Sequence, residues 1–287
     1  MAFKGVWVLP AAAFTENYEF DEESYRRNLD YYLKLGVDGF MVNGSIGEFS
    51  SLSDEERKHI LEITIKTING KVPVGTCTSS NNTLQTIELT KHAKKSGADV
   101  VMFTPPYYWK PTDAQVIQHY KMVSDAVDIP IMAYNNPFLS KVLLSPDLVG
   151  ELSKIKNVKY LKETVRDFFN IYRQIKTGLG VFGSDAIFYT VLELGGAGVT
   201  ISPVRAKEAV AVYKEFEKGD MKGALEAQKK ILESYIGGEE ISKILPWTKA
   251  ACEIRGIKVG PPRPPYTPLS AEEKSQLKAN LQRWGYI

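Results

Sequence analysis

Eight short apolar runs recur along the chain, each followed by a tight polar segment: GVWVLPA, GFMVNGS, VPVGTCTS, VVMFTPP, IPIMAYNNP, VKYLKET, GVFGSD and GVTISP. Near-continuous apolar runs of this length, bounded by glycine, proline and serine, read as strands buried on both faces. Between them lie amphipathic stretches of helix length, among them SDEERKHILEITIKTI, TLQTIELTKHAKKSG and TDAQVIQHYKMVSDAV. Ser53 and Glu56 make a Ser-x-x-Glu capping box at the head of the first. LGVDGFMV (35–42), SGADVVMF (96–103) and GGAGVTIS (195–202) each set a helix-ending glycine just before a strand. The alternation predicts an α/β protein with a parallel sheet, and eight units is the number that closes a (β/α)8 TIM barrel. An open doubly wound sheet is the rival, but no glycine-rich dinucleotide loop follows the first strand.

After about residue 220 the alternation stops. ALEAQKKILESYI, GEEISKILPWTKAACEIRG and LSAEEKSQLKANLQRWG read as helices, with the turn-rich GPPRPPYTP between the last two. With no linker to set them apart, the expected organisation is a catalytic barrel over 1–220 and a helical extension over 221–287, packed on the barrel.

Composition changes this picture little. The 287 residues are 44% hydrophobic and 24% charged, with Lys+Arg 36 against Asp+Glu 34. Near-balanced charge without a basic block argues against a nucleic-acid partner. The two cysteines, Cys77 and Cys252, form neither a disulfide framework nor a metal knuckle, which fits a reducing compartment. MAFKGVWVLPAAAF lacks the basic leader and cleavage spacing of a signal peptide and reads as a first strand. No run approaches membrane-spanning length, so the expectation is a cytoplasmic protein with no membrane partner. His59, His92 and His119 fall on helices at no metal-binding spacing and read as structural or solvated. Asp54, Glu55 and Glu56 read as a first turn favoured by the helix dipole, and the Asn81-Asn82-Thr83 sequon as a helix cap.

One residue does not fit a purely structural reading. In NVKYLKETVRD (157–167), Val158, Tyr160 and Lys162 share one face of a buried strand by period-two alternation. An ammonium there either snorkels to water from the strand end or belongs to a site. Barrel active sites lie at the C-terminal strand ends, which is where Lys162 falls, together with Ser45, Tyr107, Tyr108, Tyr134, Asn135, Asp185 and Ser202. An amine of pKa about 10.4 is protonated at neutral pH, and burial among apolar neighbours is what brings such a group toward its nucleophilic form. A Schiff base between such an amine and a 2-keto acid is an electron sink through which an enamine forms. Tyr134, at the neighbouring strand end, suits the proton traffic, and the turn of NGSIGEF can offer N–H groups to a carboxylate. Each has a plainer reading beside it: a core tyrosine, a strand-to-helix turn and, for Asp185, a helix cap.

Taken together, GSIGEFSSLSDEER (44–57), TPPYYWKPT (104–112), YNNP (134–137), YLKET (160–164), GSD (183–185) and GGAGVTIS resemble the dihydrodipicolinate synthase / N-acetylneuraminate lyase family of lysine-dependent aldolases, in order and spacing over nearly the whole chain. The resemblance implies a barrel with C-terminal helices, no metal and no organic cofactor, and a homotetramer built as a dimer of dimers. It implies a Schiff base between Lys162 and pyruvate or a related 2-keto acid, with Tyr134 as proton donor and acceptor. Ser45 and the N–H groups of Ser45 and Ile46, within the turn bounded by Gly44 and Gly47, would hold the carboxylate. Tyr108, presented across a subunit contact, would join a relay with Ser45 and Tyr134. Thr164, Gly183, Asp185, Thr200 and Ser202 fall at substrate-binding positions, several of them against the substrate tail in sugar-acid members.

Three departures narrow the expectation. Leu139 stands where the synthase branch carries an arginine for its dicarboxylate product, Ala186 where sialate lyases carry a glutamate, and Ile46 replaces a hydroxyl residue of the carboxylate turn. The expected activity is therefore a carbon–carbon lyase that cleaves a 2-keto-3-deoxy sugar acid to pyruvate and an aldehyde. The alternatives are 4-hydroxy-tetrahydrodipicolinate synthesis from pyruvate and aspartate semialdehyde, a dehydratase or deaminase on a related keto acid, and a non-catalytic keto-acid-binding barrel. A pyridoxal phosphate enzyme would also use a barrel lysine, but no convincing phosphate loop is present.

Overall fold

Apolar runs without polar interruption can be buried on both faces only where a sheet is covered on both, and here the sheet closes on itself. In the computed structural model, which describes residues 2–236 and 243–287, eight parallel strands form a closed barrel in chain order. They are β1 (Gly5–Val8), β2 (Gly39–Val42), β3 (Val74–Cys77), β4 (Val100–Phe103), β5 (Ile131–Asn135), β6 (Val158–Glu163), β7 (Gly180–Gly183) and β8 (Gly198–Ile201). The helices along the barrel are α1 (Glu22–Leu35), α2 (Asp54–Ile68), α3 (Thr83–Ser96), α4 (Asp113–Ala126), α5 (Pro137–Ser140), α6 (Pro146–Leu152), α7 (Phe168–Ile175), α8 (Phe188–Glu193) and α9 (Ala206–Glu217). Three more follow: α10 (Met221–Ile236), α11 (Ile244–Ile254) and α12 (Ala271–Arg283). The expected helix over GEEISKILPWTKAACEIRG is seen from Ile244; its residues 238–242 lie outside the described residues.

Local signals act where the sequence put them. Ser53 and Glu56 form a reciprocal capping box on α2, and Thr112 with Gln115 does the same on α4. Gly36 and Gly97 close α1 and α3 in the left-handed conformation that only glycine adopts without a Cβ penalty.

Side-chain alternation sorts each strand into two layers. Val6, Val8, Phe40, Val42, Val101, Phe103, Ile131, Ala133, Val199 and Ile201 face the helices. Trp7, Met41, Met102, Met132, Tyr134, Tyr160 and Phe182 fill the barrel interior. Large and small residues alternate there: a Cβ on Gly39 would lie 2.5 Å from the Trp7 ring, and one on Gly180 2.7 Å from Tyr160. Phe182 meets Trp7 and Tyr160 edge-on, each at a ring separation of 6.0 Å, and the Phe3 N–H donates to Tyr160 Oη (3.0 Å). These aromatic pairs, worth about 0.5–1.5 kcal/mol each beyond burial, fill the interior beside Lys162, whose register partner on β7 is Phe182.

The expected common face of Val158, Tyr160 and Lys162 needs correction at its first member. The register runs Ile131↔Val158 and then Met132↔Tyr160, so Lys159 is an extra residue in the ladder. The bulge turns Val158 outward to the helix-facing core, while Tyr160 and Lys162 remain inside.

At the C-terminal end of the chain, α10 packs back along α9, and α11 lies over the single turn Pro203–Arg205 with α12 on its other side. Among the described residues no helix is long and apolar enough to cross a membrane.

Candidate active site

Lys162 is 4% exposed at the C-terminal end of β6, in register with Tyr134 of β5. Its Nζ lies 4.2 Å from the centroid of the Tyr134 ring, within cation–π range. The adjacent Glu163 points the other way. Its carboxylate is buried and accepts from Asn135 Nδ2 (2.7 Å), Gln174 Nε2 (2.6 Å) and the Val165 N–H (2.6 Å). Burial raises the Glu163 carboxyl above its ordinary range, and these N–H donors oppose the rise. Strand alternation thus separates the two charges: the carboxylate braces the outside of the strand and the amine enters the barrel.

The YNNP segment divides its work residue by residue. Asn135 faces outward, donating to Leu144 O (3.2 Å) and accepting from the Leu144 N–H (2.9 Å), which ties down the loop after β5. Asn136 caps α5 through its Oδ1 and donates from Nδ2 to Tyr134 Oη (2.9 Å). Because that bond fills an acceptor site of the phenol, the Tyr134 proton remains free to be donated elsewhere.

Ser45 and Ile46 sit in a turn folded tightly on itself. The Glu48 N–H donates to Ser45 O (3.1 Å), and a Cβ on Gly47 would lie 3.2 Å from Asn43 Cα. Gly44 has room for a methyl group, its nearest neighbour being Leu9 Cδ2 at 3.6 Å. Two non-glycine residues with positive φ, Asn43 and Glu48, flank the turn (both +56°).

A cavity of about 280 Å³ opens at this end of the barrel. Its walls include Ser45, Ile46 and Tyr134, so three of the predicted residues converge on it. Lys162 is not itself a wall and meets the cavity through the Tyr134 ring. Thr164, Gly183, Asp185, Thr200 and Ser202 lie on the β6–β8 side of the mouth and do not line it. The Thr164 hydroxyl donates to Asn135 O (2.7 Å). Gly183 has no space for a side chain, since a Cβ would meet Val191 at 2.9 Å. The Asp185 carboxylate is held by Arg205 Nη1 (3.0 Å) and the Ser202 N–H (3.3 Å) in a buried pair. Thr200 Oγ1 and Ser202 Oγ are buried and find no hydrogen-bond partner among the described residues.

Tyr108 is 78% exposed, stacked edge-on against the equally exposed Trp109, and lies away from the cavity of its own chain. Its neighbour Tyr107 lines the cavity instead. Asn81 Oδ1 accepts from both backbone N–H groups (2.7 and 2.8 Å) and so fixes this opposed placement. Burial raises the Tyr107 phenol above its ordinary value, against the opposing pull of the Arg57 charge.

Several walls were not legible as site residues. Phe49 and Thr104 follow β2 and β4, whereas Ile244, Leu245 and Tyr266 come from the C-terminal helices and the loop between them. In sequence the last three carry only the signal of amphipathic packing. The histidines are engaged away from the cavity: His59 with Glu22, His92 with Glu62, and His119 with Thr83.

The profile of the dihydrodipicolinate synthetase family matches residues 2–284. The chain belongs to that family. It is 34% identical to the 4-hydroxy-tetrahydrodipicolinate synthase of Syntrophus aciditrophicus, with 99% of each chain covered. It is 32% identical to the enzyme of the same name from Bacillus subtilis, covering 98% and 99%. Among solved structures it resembles YagE, a prophage protein of the dihydrodipicolinic acid synthase family from Escherichia coli K12, determined with pyruvate (TM-score 0.96, 30% identity, 100% of both chains). It also resembles the dihydrodipicolinate synthase of Thermotoga maritima (TM-score 0.92, 30% identity, 99% of both). Membership makes the protein a lyase of the class I aldolase kind, which works through a Schiff base to pyruvate.

Proposed function

We propose that Lys162 is the Schiff-base lysine and that the protein makes or breaks a carbon–carbon bond at C3 of pyruvate. The observation that carries the reading is one buried amine, 4.2 Å from the face of a tyrosine that lines the cavity at the C-terminal barrel end. In its neutral form Lys162 Nζ attacks the keto carbon, and loss of water leaves the imine. Ser45 Oγ and the N–H groups of Ser45 and Ile46 hold the carboxylate. Tyr134, whose proton is free, protonates the leaving oxygen and later relays the proton removed as the enamine forms. Tyr108 points away from its own cavity, so it can join the relay only from a neighbouring subunit in a homotetramer.

Two readings of the second substrate divide the observations. The names of the relatives support the condensation of pyruvate with aspartate semialdehyde, and do so more directly than they support cleavage of a sugar acid. The cavity walls favour an uncharged aldehyde. Among the described residues they contain no lysine or arginine, and Leu139 stands where a carboxylate would need a cation. A 2-keto-3-deoxy sugar acid, whose chain carries hydroxyls and no second carboxylate, suits such walls, which present the hydroxyls of Ser45, Thr104, Tyr107 and Ser140.

Borohydride reduction in the presence of pyruvate, followed by peptide mass mapping, tests the shared step. The expected product carries the pyruvyl mass on Lys162; no added mass, or mass on another lysine, overturns the assignment. Turnover of aspartate semialdehyde against a panel of 2-keto-3-deoxy acids then separates the two readings.

A further inference from the structure

Glu48 is charged, buried and in a backbone conformation that a glutamate rarely adopts. Its side chain is fully buried although it borders the cavity, and its φ is +56°. Such a conformation persists only where surrounding contacts over-determine it. Here the contacts come from the far end of the chain. Lys249 Nζ of α11 lies 2.6 Å from Glu48 Oε1, and the Arg263 N–H donates to Oε2 (3.0 Å). Lys249 is buried too, donates to Pro261 O (2.8 Å) and sits over the Phe14 ring at 4.2 Å. The Arg263 guanidinium grips the same segment further on, at Ser51 O (3.0 Å) and the Glu56 carboxylate (2.5 and 2.9 Å).

We propose that Glu48 is a positioning residue for the carboxylate turn, and that through Lys249 of α11 and Arg263 of the loop after it the C-terminal segment sets how tightly the site holds a keto acid. This rests on the function proposed above. The link to the turn is short: the Glu48 N–H bonds to Ser45 O at 3.1 Å and the Phe49 N–H to Gly44 O at 3.4 Å. Glu48 therefore anchors one end of the turn, while Asn43 anchors the other through Arg57 O (2.8 Å) and Thr76 Oγ1 (3.1 Å). With both ends fixed, the N–H groups of Ser45 and Ile46 are held in place before substrate arrives. Replacing Lys249 leaves a buried carboxylate without its cation, which must take up a proton or swing into the cavity it borders. Either outcome loosens the turn, and the second also sets a negative charge beside the place of the substrate carboxylate.

The test uses the full-length protein with Lys249→Met, Glu48→Gln and the double variant, which removes both charges and keeps the site foldable should Lys249→Met alone fail to fold. For Lys249→Met the half-saturating pyruvate concentration should rise about tenfold or more, with kcat at saturating pyruvate changed by less than about threefold. The double variant should show a smaller rise of the same kind. Hydrogen exchange of the amides of residues 45–48 should quicken in every variant. Variants that melt earlier but keep the wild-type pyruvate half-saturation and the wild-type amide exchange would reduce the pair to a stabilising contact and overturn the proposal. If wild-type protein gains no pyruvyl mass on borohydride reduction, the proposed function fails by itself. Amide exchange then decides the positioning role alone, unchanged exchange being the overturning result.

Discussion

Leu139→Arg is the substitution that most directly separates the two readings of the second substrate. Leu139 is 50% exposed, on the last turn of α5, and lines the cavity beside Tyr134 and Ser140. The nearby cation Lys141 does not serve in its stead: its Nζ donates to Phe138 O (2.9 Å) and lies 5.5 Å from the Phe138 ring centroid. A guanidinium at position 139 would offer a planar pair of donors to a carboxylate at the far end of the substrate. Bonds to a charged group contribute roughly 1.5–3 kcal/mol when well shielded. Half-exposure screens part of this, leaving about 1–1.5 kcal/mol, or roughly five- to tenfold. The assay compares kcat/KM for pyruvate condensing with aspartate semialdehyde and with glyceraldehyde, in wild type and variant. The ratio should move toward the semialdehyde by that factor, less so at high salt, with the pyruvate half-saturation unchanged. A ratio that stays put refutes the reasoning, as does a wild type that already prefers the semialdehyde with a strong salt dependence. Either result would mean that another cation grips the carboxylate.

Three further outcomes follow from the same geometry. Lys162→Ala should abolish turnover and pyruvate trapping while far-UV circular dichroism stays native; residual turnover by a folded variant would place the imine elsewhere. Tyr134→Phe should lower kcat by about 10²–10⁴-fold, the usual weight of a positioned proton donor, with a far smaller change in pyruvate half-saturation. His119 supplies a pH test: burial lowers its imidazole to about 4 from an ordinary 6.5. The unfolded chain therefore takes up a proton below pH 6.5 that the folded protein refuses until about pH 4. Stability conferred above that window is lost as pH falls through it, by about 3 kcal/mol at 1.36 kcal/mol per unit. Urea titrations at pH 7 and pH 4.5 should show a loss in wild type that is clearly smaller in His119→Gln, and equal losses would contradict the assignment.

What could be read from the sequence was whatever depends on local period and on strand order. Parallel strands joined in succession put the ends of β5 and β6 side by side, so Tyr134 and Lys162 could be paired before any distance was known. Alternation likewise separates Lys162 from Glu163. The same rule misplaced Val158, because a bulge at Lys159 costs one residue of register and has no signature in VKY. Asp185 showed a different limit. A polar residue at a strand end looks available, yet it is committed to Arg205, a partner visible only once β7 and β8 lie together.

The least legible features were the contributions of the C-terminal segment. Ile244, Leu245 and Tyr266 look like ordinary packing positions, and Lys249 like one more cation on an amphipathic helix. Their place is set by the closed barrel, which leaves the mouth open on the side where α11 and the loop after it lie down. The β6–β8 side, with Thr200 and Ser202, is built from strand ends that must keep barrel register. The opposite wall comes from a helix and a loop free of that constraint, so its side chains can change without disturbing Lys162 or Tyr134. Substrate choice can therefore diverge on that wall while the imine chemistry stays fixed. On this reasoning, substitutions at Ile244, Leu245 and Tyr266 should alter which aldehyde is accepted before they alter whether pyruvate is.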